Sequence, residues 1–258
     1  MSKALLIDVT KCIGCGLCYE ACKESHGFPI PDEQDTDLNA TTYTVVQERG
    51  EYFVRKLCMH CENPSCASVC PVAALRKTPE GPVSYDPTRC IGCRYCMVAC
   101  PFEVPRYEWT KAAPLVRKCD MCYERVRAGE ATACAEACPE EATVFGERDE
   151  LLALARRRIR NNPDDYADHI YGEHEVGGTS TLFITPVDYE KLGMKKIAIT
   201  EPMPRLTWEV LSKIPSIVTV LGTLLTGIWW ITNRREEVRR KEQGERSHDH
   251  PSGEVSHE

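Results

Sequence analysis

Sixteen cysteines fall into four tight clusters along the chain, and none is left over. They are Cys12, Cys15, Cys18 and Cys22; Cys58, Cys61, Cys66 and Cys70; Cys90, Cys93, Cys96 and Cys100; and Cys119, Cys122, Cys134 and Cys138. The first and third sets read C-x2-C-x2-C-x3-C. That spacing curls the backbone around a cubane so that three thiolates reach one cluster, while the fourth usually serves a neighbouring cluster. At four thiolates per cluster, the sixteen cysteines imply four [4Fe–4S] centres, and so many redox centres imply electron transport. Two rival chemistries explain less. Cysteines two or three residues apart are too close to pair productively within a group, which argues against a disulfide framework. Zinc accounts for CxxC pairs but not for the third cysteine three residues on, repeated twice with the same downstream spacing. No CxxC is followed by His, so covalent c-type haem is not indicated.

Internal repetition supports iron–sulfur chemistry. Thr10-Lys11-Cys12-Ile13-Gly14-Cys15 recurs as Thr88-Arg89-Cys90-Ile91-Gly92-Cys93. The glycine is expected where backbone passes close to a cluster. Pro71, Pro101 and Pro139 follow Cys70, Cys100 and Cys138 and turn the chain away, whereas Cys22 is followed by Lys23. Four residues separate Cys61 from Cys66 and eleven separate Cys122 from Cys134, so the second and fourth sets are looser. The pattern predicts duplicated two-cluster ferredoxin modules, each a small α+β unit. A basic residue precedes each set, at Lys11, Lys56, Arg89 and Lys118, either raising a cluster's potential or lying as ordinary surface charge. His60, between Cys58 and Cys61, is expected to pack or hydrogen-bond rather than relay protons. A net charge of −7 argues against nucleic acid as a partner.

Between the cysteine sets, residues Tyr43 to Lys56 predict a β-hairpin turning at Glu48 to Glu51 around Gly50. Asp149 to Arg160 predicts an amphipathic helix ended by Asn161-Asn162-Pro163, with Arg156 to Arg160 on a solvated face. Thr181 to Thr185 predicts a short strand, and Gly27 to Asn39 a loop. Ile214 to Asn233 contains twenty residues and no charge. At about 1.5 Å per residue it spans roughly 30 Å, the thickness of a bilayer core. Trp208, Trp229 and Trp230 stand where interfacial anchors would, Pro215 suits a helix start, and Gly222 and Gly227 permit close approach of a partner helix. Arg234, Arg235, Arg239, Arg240 and Lys241 follow the span, against only Lys213 immediately before it. That bias places the tail in the cytoplasm and the cysteine-rich part outside. The polar tail is expected to be disordered, its His248, His250 and His257 solvated.

The expected class is therefore α+β: two ferredoxin-like two-cluster modules plus one C-terminal transmembrane helix. The expected divisions are a four-cluster domain over 1–148, a helix and strand extension over 149–213, the span over 214–233 and a tail over 234–258. Neither an apolar signal segment nor a twin-arginine motif precedes the first set, so the chain is expected either to stay inside or to be carried across with a partner that has the signal.

The four sets, the C-x2-C-x4-C-x3-C-P second set, Gly177-Gly178-Thr179 and the C-terminal span resemble the iron–sulfur (beta) subunits of membrane-bound bacterial oxidoreductases. The likeness is nearest to respiratory formate dehydrogenase and next to membrane-bound nickel–iron hydrogenase; dimethyl sulfoxide, polysulfide and nitrate reductase subunits share the cysteine pattern. The resemblance implies a non-catalytic wire of four [4Fe–4S] clusters between a molybdenum or tungsten catalytic subunit and a membrane cytochrome b. It implies a single-pass protein of the bacterial inner membrane with its clusters on the periplasmic side. It also implies ligand sharing: Cys12, Cys15, Cys18 and Cys138 for one cluster; Cys22, Cys119, Cys122 and Cys134 for a second; Cys58, Cys61, Cys66 and Cys100 for a third; Cys70, Cys90, Cys93 and Cys96 for a fourth. The outer sets then form one module and the inner sets the other. The alternative of a different class is a zinc-stabilised, membrane-tethered scaffold.

Overall fold

The computed structural model describes residues 2–112 and 114–248, with only the backbone of 242–248. In chain order the first elements are β1 (Lys3–Asp8), α1 (Leu17–Ser25), β2 (Val45–Arg49), β3 (Tyr52–Lys56), α2 (Ser65–Ser68), β4 (Leu75–Lys77), β5 (Val83–Tyr85) and α3 (Tyr95–Ala99). Then come β6 (Arg106–Tyr107), β7 (Val116–Arg117), α4 (Tyr123–Arg127), α5 (Ala133–Glu136), β8 (Thr143–Glu147) and α6 (Arg148–Asn161). β9 (Ile170–Tyr171), β10 (Thr181–Ile184), α7 (Met203–Leu211) and α8 (Ile214–His248) complete the order. The chain divides into two units, Met1–Leu206 and Thr207–Glu258.

In the first unit, β1 is an unbroken apolar run because both of its faces are covered. Ala4 and Leu6 face Leu151, Leu152, Ala155 and Ile159 of α6, while Leu5 and Ile7 face Met121, Cys18 and Cys134. The alternation follows from the two-residue period of a strand. β1 pairs antiparallel with β8 on one side, Ile7 opposite Thr143, and parallel with β10 on the other, Leu6 opposite Leu182. The sheet order is β8-β1-β10-β9. β10 is thus central in the sheet that carries the first and last cysteine sets, so the segment after residue 148 is woven into this module instead of extending from it. The inner sets frame a smaller module. There β4 pairs with β5, and Leu75, Val83 and Val116 pack beside Cys66, Cys70, Cys90 and Cys96.

Local expectations fare well where a local signal exists. The β2–β3 hairpin pairs Arg49 with Tyr52 across Gly50, whose φ of 65° admits the tight turn. The helix expected over 149–160 spans Arg148–Asn161, and the strand expected over 181–185 spans Thr181–Ile184. The arginine run on α6 is not uniformly solvated. Arg158 Nη1 lies 2.8 Å from Oδ2 of Asp8, which is fully buried and also accepts hydrogen bonds from Tyr166 Oη (2.9 Å) and Thr10 Oγ1 (2.6 Å).

In the second unit, α8 continues past Asn233 to His248, so the first part of the expected disordered tail is helical. Residues 249–258, including His250 and His257, lie outside the described residues. The helical stretch Met203–Lys241 contains an 18-residue window long and apolar enough to cross a membrane, with mean hydropathy 1.7. None of that stretch is buried against protein, and side chains such as Ile217, Val220, Leu225 and Trp230 are exposed. A helix in lipid must satisfy its own polar groups. Thr219, Thr223 and Thr226 do so by donating to the carbonyls of Pro215 (2.7 Å), Thr219 (2.8 Å) and Gly222 (2.7 Å).

Candidate metal centres

One backbone device recurs in all four cysteine sets. The third residue of the first C-x-x-C in each set is left-handed: Gly14 at φ 72°, His60 at 48°, Gly92 at 69° and Met121 at 59°. This conformation reverses the chain between two cysteines and turns both thiols to one side. Glycine adopts it without strain; His60 and Met121 do not. The glycines answer to protein as well as to any cluster. A Cβ on Gly14 would lie 2.5 Å from the Phe53 ring, and one on Gly92 would lie 2.8 Å from Tyr107 Oη. A second device follows each Cys-Pro. Ala73, Glu103 and Glu141 have φ of 51°, 54° and 48°, and their N–H groups donate to the carbonyls of Cys70, Cys100 and Cys138. Cys22 has no proline after it, and α1 runs on through it to Ser25. Lys23 is buried there, with its ammonium 2.9 Å from Thr42 Oγ1 and 3.1 Å from Asp35.

Two cavities gather thiols from different sets. Cys12, Cys15, Cys18 and Cys138 line one cavity, and Cys70, Cys90, Cys93 and Cys96 line another. Beneath the surface, burial and then Cys134 and Cys122 push the Cys22 thiol up, and burial and then Cys22 and Cys58 push up that of Cys119. Cys61 responds to burial and then to Cys58, Cys100 and Cys66. Burial pushes the Cys96 thiol up to about 11, with Cys90, Cys93 and Cys70 pushing the same way. Such crowding disfavours four thiolates unless cations share the space. The donor set is all sulfur, which suits iron–sulfur chemistry or zinc. Among the described residues no three His, Cys, Asp or Glu side chains converge on a point that one ion would fill. Thiols spread around a cavity fit a polynuclear cluster, where each binds its own iron.

His60 is fully buried, and its Nδ1 accepts the Val83 N–H at 2.9 Å. The imidazole proton of the neutral ring is therefore on Nε2, which has no partner among the described residues. A buried donor without an acceptor is rare in a folded protein. The set that includes it is braced by the Gly177-Gly178-Thr179 segment. Glu62 N–H donates to the Gly178 carbonyl (2.9 Å), Ser180 N–H to the His60 carbonyl (3.0 Å) and Thr181 Oγ1 to the Cys58 carbonyl (3.0 Å).

Of the four basic residues preceding the cysteine sets, only Lys118 is buried. Lys56 is at the surface, 2.7 Å from Asp37, and Arg89 is exposed beside Asp86. The buried cation before the second set is Arg55, 3 % exposed, donating to Thr143 Oγ1 (2.9 Å) and Thr44 Oγ1 (3.1 Å). In sequence it stands next to a second charge, Lys56, on the same strand.

Two families, both described as 4Fe-4S dicluster domains, match the chain, over residues 50–148 and residues 11–74. A protein of Nitratidesulfovibrio vulgaris whose name states no activity is 41% identical over 260 residues, covering 95% of this chain and 70% of the relative. The Hydrogenase-2 operon protein HybA of Escherichia coli O157:H7 is 36% identical over 242 residues, 76% of this chain and 74% of the relative. The iron–sulfur subunit of the nitrate-inducible formate dehydrogenase of Escherichia coli K12 is 37% identical over 200 residues, 70% of this chain and 67% of the relative.

Proposed function

The chain belongs to the family of iron–sulfur electron-transfer subunits of oxidoreductase complexes, built on 4Fe-4S dicluster domains, and from that premise we propose that it conducts electrons between a catalytic subunit and a quinone-reactive cytochrome b subunit in the membrane. It is a non-catalytic member of such a complex, and its two dicluster domains account for four [4Fe–4S] clusters. The proposed ligands are Cys12, Cys15, Cys18 and Cys138; Cys22, Cys119, Cys122 and Cys134; Cys58, Cys61, Cys66 and Cys100; and Cys70, Cys90, Cys93 and Cys96. When bound, each cluster supplies reversible one-electron storage.

One observation carries this reading: the thiols are graded in exposure. The two exposed cysteines, Cys15 and Cys93, belong to the first and fourth groups, which also hold one buried cysteine each, Cys18 and Cys96, whereas the second group has three buried, Cys22, Cys119 and Cys134, and the third has one, Cys58. Apolar side chains flank both exposed ends. Ile13 and Leu17 lie beside Cys15, and Ile91, Tyr95 and Val98 beside Cys93, all exposed. Such patches suit docking of partner subunits. Between them Tyr19, Val45 and Val104 pack around Cys22, Cys58 and Cys119 and exclude water from the middle of the path.

The catalytic partner proposed is a molybdenum or tungsten formate dehydrogenase. A nickel–iron hydrogenase is the second reading, favoured by the longer match to the Hydrogenase-2 relative. Residues 214–233 are proposed to anchor the chain in a bacterial inner membrane, clusters on the periplasmic side, with Arg234 to Lys241 holding the C-terminal side in the cytoplasm. Anaerobic purification from membranes tests the proposal. Iron and acid-labile sulfide should each reach about sixteen per chain; about eight, or a colourless zinc-loaded protein, would overturn it. A co-purifying large subunit with formate-dependent dye reduction supports the first partner, and hydrogen-dependent reduction the second.

A further inference from the structure

Two cations are buried among the thiols without a carboxylate within ion-pair distance among the described residues. Arg55 is 3 % exposed and Lys118 is 5 % exposed. The Arg55 guanidinium is tethered by two threonine hydroxyls, its Nε has no partner among the described residues, and it lines the cavity of Cys12, Cys15, Cys18 and Cys138. The Lys118 ammonium donates to the carbonyls of Val83 (2.5 Å) and Cys119 (2.8 Å). A buried cation with neutral partners alone is strongly disfavoured. Cysteine sulfur faces both. Burial opposes the charge of Arg55, while Cys18, Cys134 and Cys22 sustain it. Burial likewise opposes that of Lys118, while Cys58, Cys66 and Cys119 sustain it. In the proposed ligand grouping, Cys18 belongs to the first cluster and Cys134 and Cys22 to the second. Cys119 belongs to the second, and Cys58 and Cys66 to the third. Each cation therefore stands at a junction between consecutive clusters.

We propose that Arg55 and Lys118 are fixed junction charges that raise the reduction potentials of the clusters they separate, Arg55 those of the first and second and Lys118 those of the second and third. The inference rests on the four-cluster reading and its ligand grouping. Reduction adds one negative charge to a cluster, and a cation a few ångströms away in a low-dielectric interior favours that state. The fourth cluster has neither cation beside it and is left to its own surroundings. Both residues act as positioning charges for electrons, since neither is a ligand.

The test is a redox titration of the anaerobic complex followed by electron paramagnetic resonance, comparing wild type with Arg55→Gln, Lys118→Met and Lys56→Gln. In each of the first two variants, two of the four midpoints should move to lower potential. The expected shift is at least tenfold in the reduced-to-oxidised ratio at a fixed poise, about 59 mV for one electron. One midpoint should move in both variants and one in neither. Lys56→Gln removes the neighbouring exposed charge and should move none. Arg55→Lys keeps the charge and should move the same two midpoints as Arg55→Gln by less. If one deletion fails to retain its clusters, the other decides, since each demands two moved and two unmoved midpoints. Unmoved midpoints, or an equal shift of all four, would overturn the junction charges while leaving the wire intact. Fewer than four centres in the wild type would instead overturn the four-cluster reading beneath them.

Discussion

At the scale of single residues, the third position of the first C-x-x-C in each set carries the geometry of the cysteine sets. Two of the four positions are glycine and two are His60 and Met121, yet all four adopt the same left-handed turn. A non-glycine residue held there costs about 1–2 kcal/mol, which the surrounding packing must offset. His60 carries that strain on a fully buried imidazole whose Nε2 has no partner among the described residues. Cys22 illustrates how far a single residue reaches. It lies on α1 with Cys18, but its closest electrostatic partners are Cys134 and Cys122 from the far end of the module. Cys22→Ala should therefore damage the centre proposed for Cys119, Cys122 and Cys134 and spare that of Cys12, Cys15 and Cys18. Electron paramagnetic resonance of the variant checks this; loss of only the Cys12 centre would show that the cysteines of one set serve one cluster.

At the scale of elements, α6 and β10 change from appendages into structural members. β10 pairs with β1 on one side while the segment leading into it holds the second cysteine set by backbone hydrogen bonds. α6 covers the opposite face of the sheet with Leu151, Leu152, Ala155 and Ile159 and holds Asp8 at the end of β1 by Arg158. Asp8 is fully buried and Arg158 only 17 % exposed, so removing the arginine leaves a charge with Tyr166 and Thr10 as its remaining hydrogen-bond donors. Arg158→Ala should cost about 3 kcal/mol. Arg156→Ala, which breaks a surface pair with Glu173, should cost under about 1 kcal/mol. Guanidinium-induced bleaching of the visible absorption, measured under anaerobic conditions, separates the two; equal midpoints would return the whole arginine run to the solvent.

At the scale of the whole molecule, every cysteine lies in the first unit and the apolar helix lies in the second. Truncation before Ile214 should therefore release a soluble protein that keeps all its clusters. The truncated complex should still reduce an artificial dye with its substrate but reduce membrane quinone poorly, because the anchor no longer holds the wire beside the cytochrome. Unimpaired quinone reduction would make the helix a mere tether. Protease added to intact spheroplasts should reach the cluster-bearing unit if the charges after Asn233 set orientation; cleavage only after lysis would place that unit in the cytoplasm.

The four cysteine sets, the β2–β3 hairpin, the α6 helix and the uncharged span were legible in the sequence because each is written in spacing along a short stretch. Cysteine intervals, a turn glycine and an unbroken apolar run need no knowledge of distant partners. Which thiols converge is another matter. The sequence proposed sharing between distant sets only through a family likeness, and it is folding that brings Cys138 into the cavity of Cys12, Cys15 and Cys18. The same holds for the charges. Lys56 and Arg55 are adjacent on β3, but successive strand residues point to opposite faces, and only packing against Thr143 of β8 and Thr44 puts Arg55 inside and leaves Lys56 at the surface. Local spacing determined what this chain can hold; the tertiary contacts, which depend on segments far apart in sequence, decided where its charges stand around it.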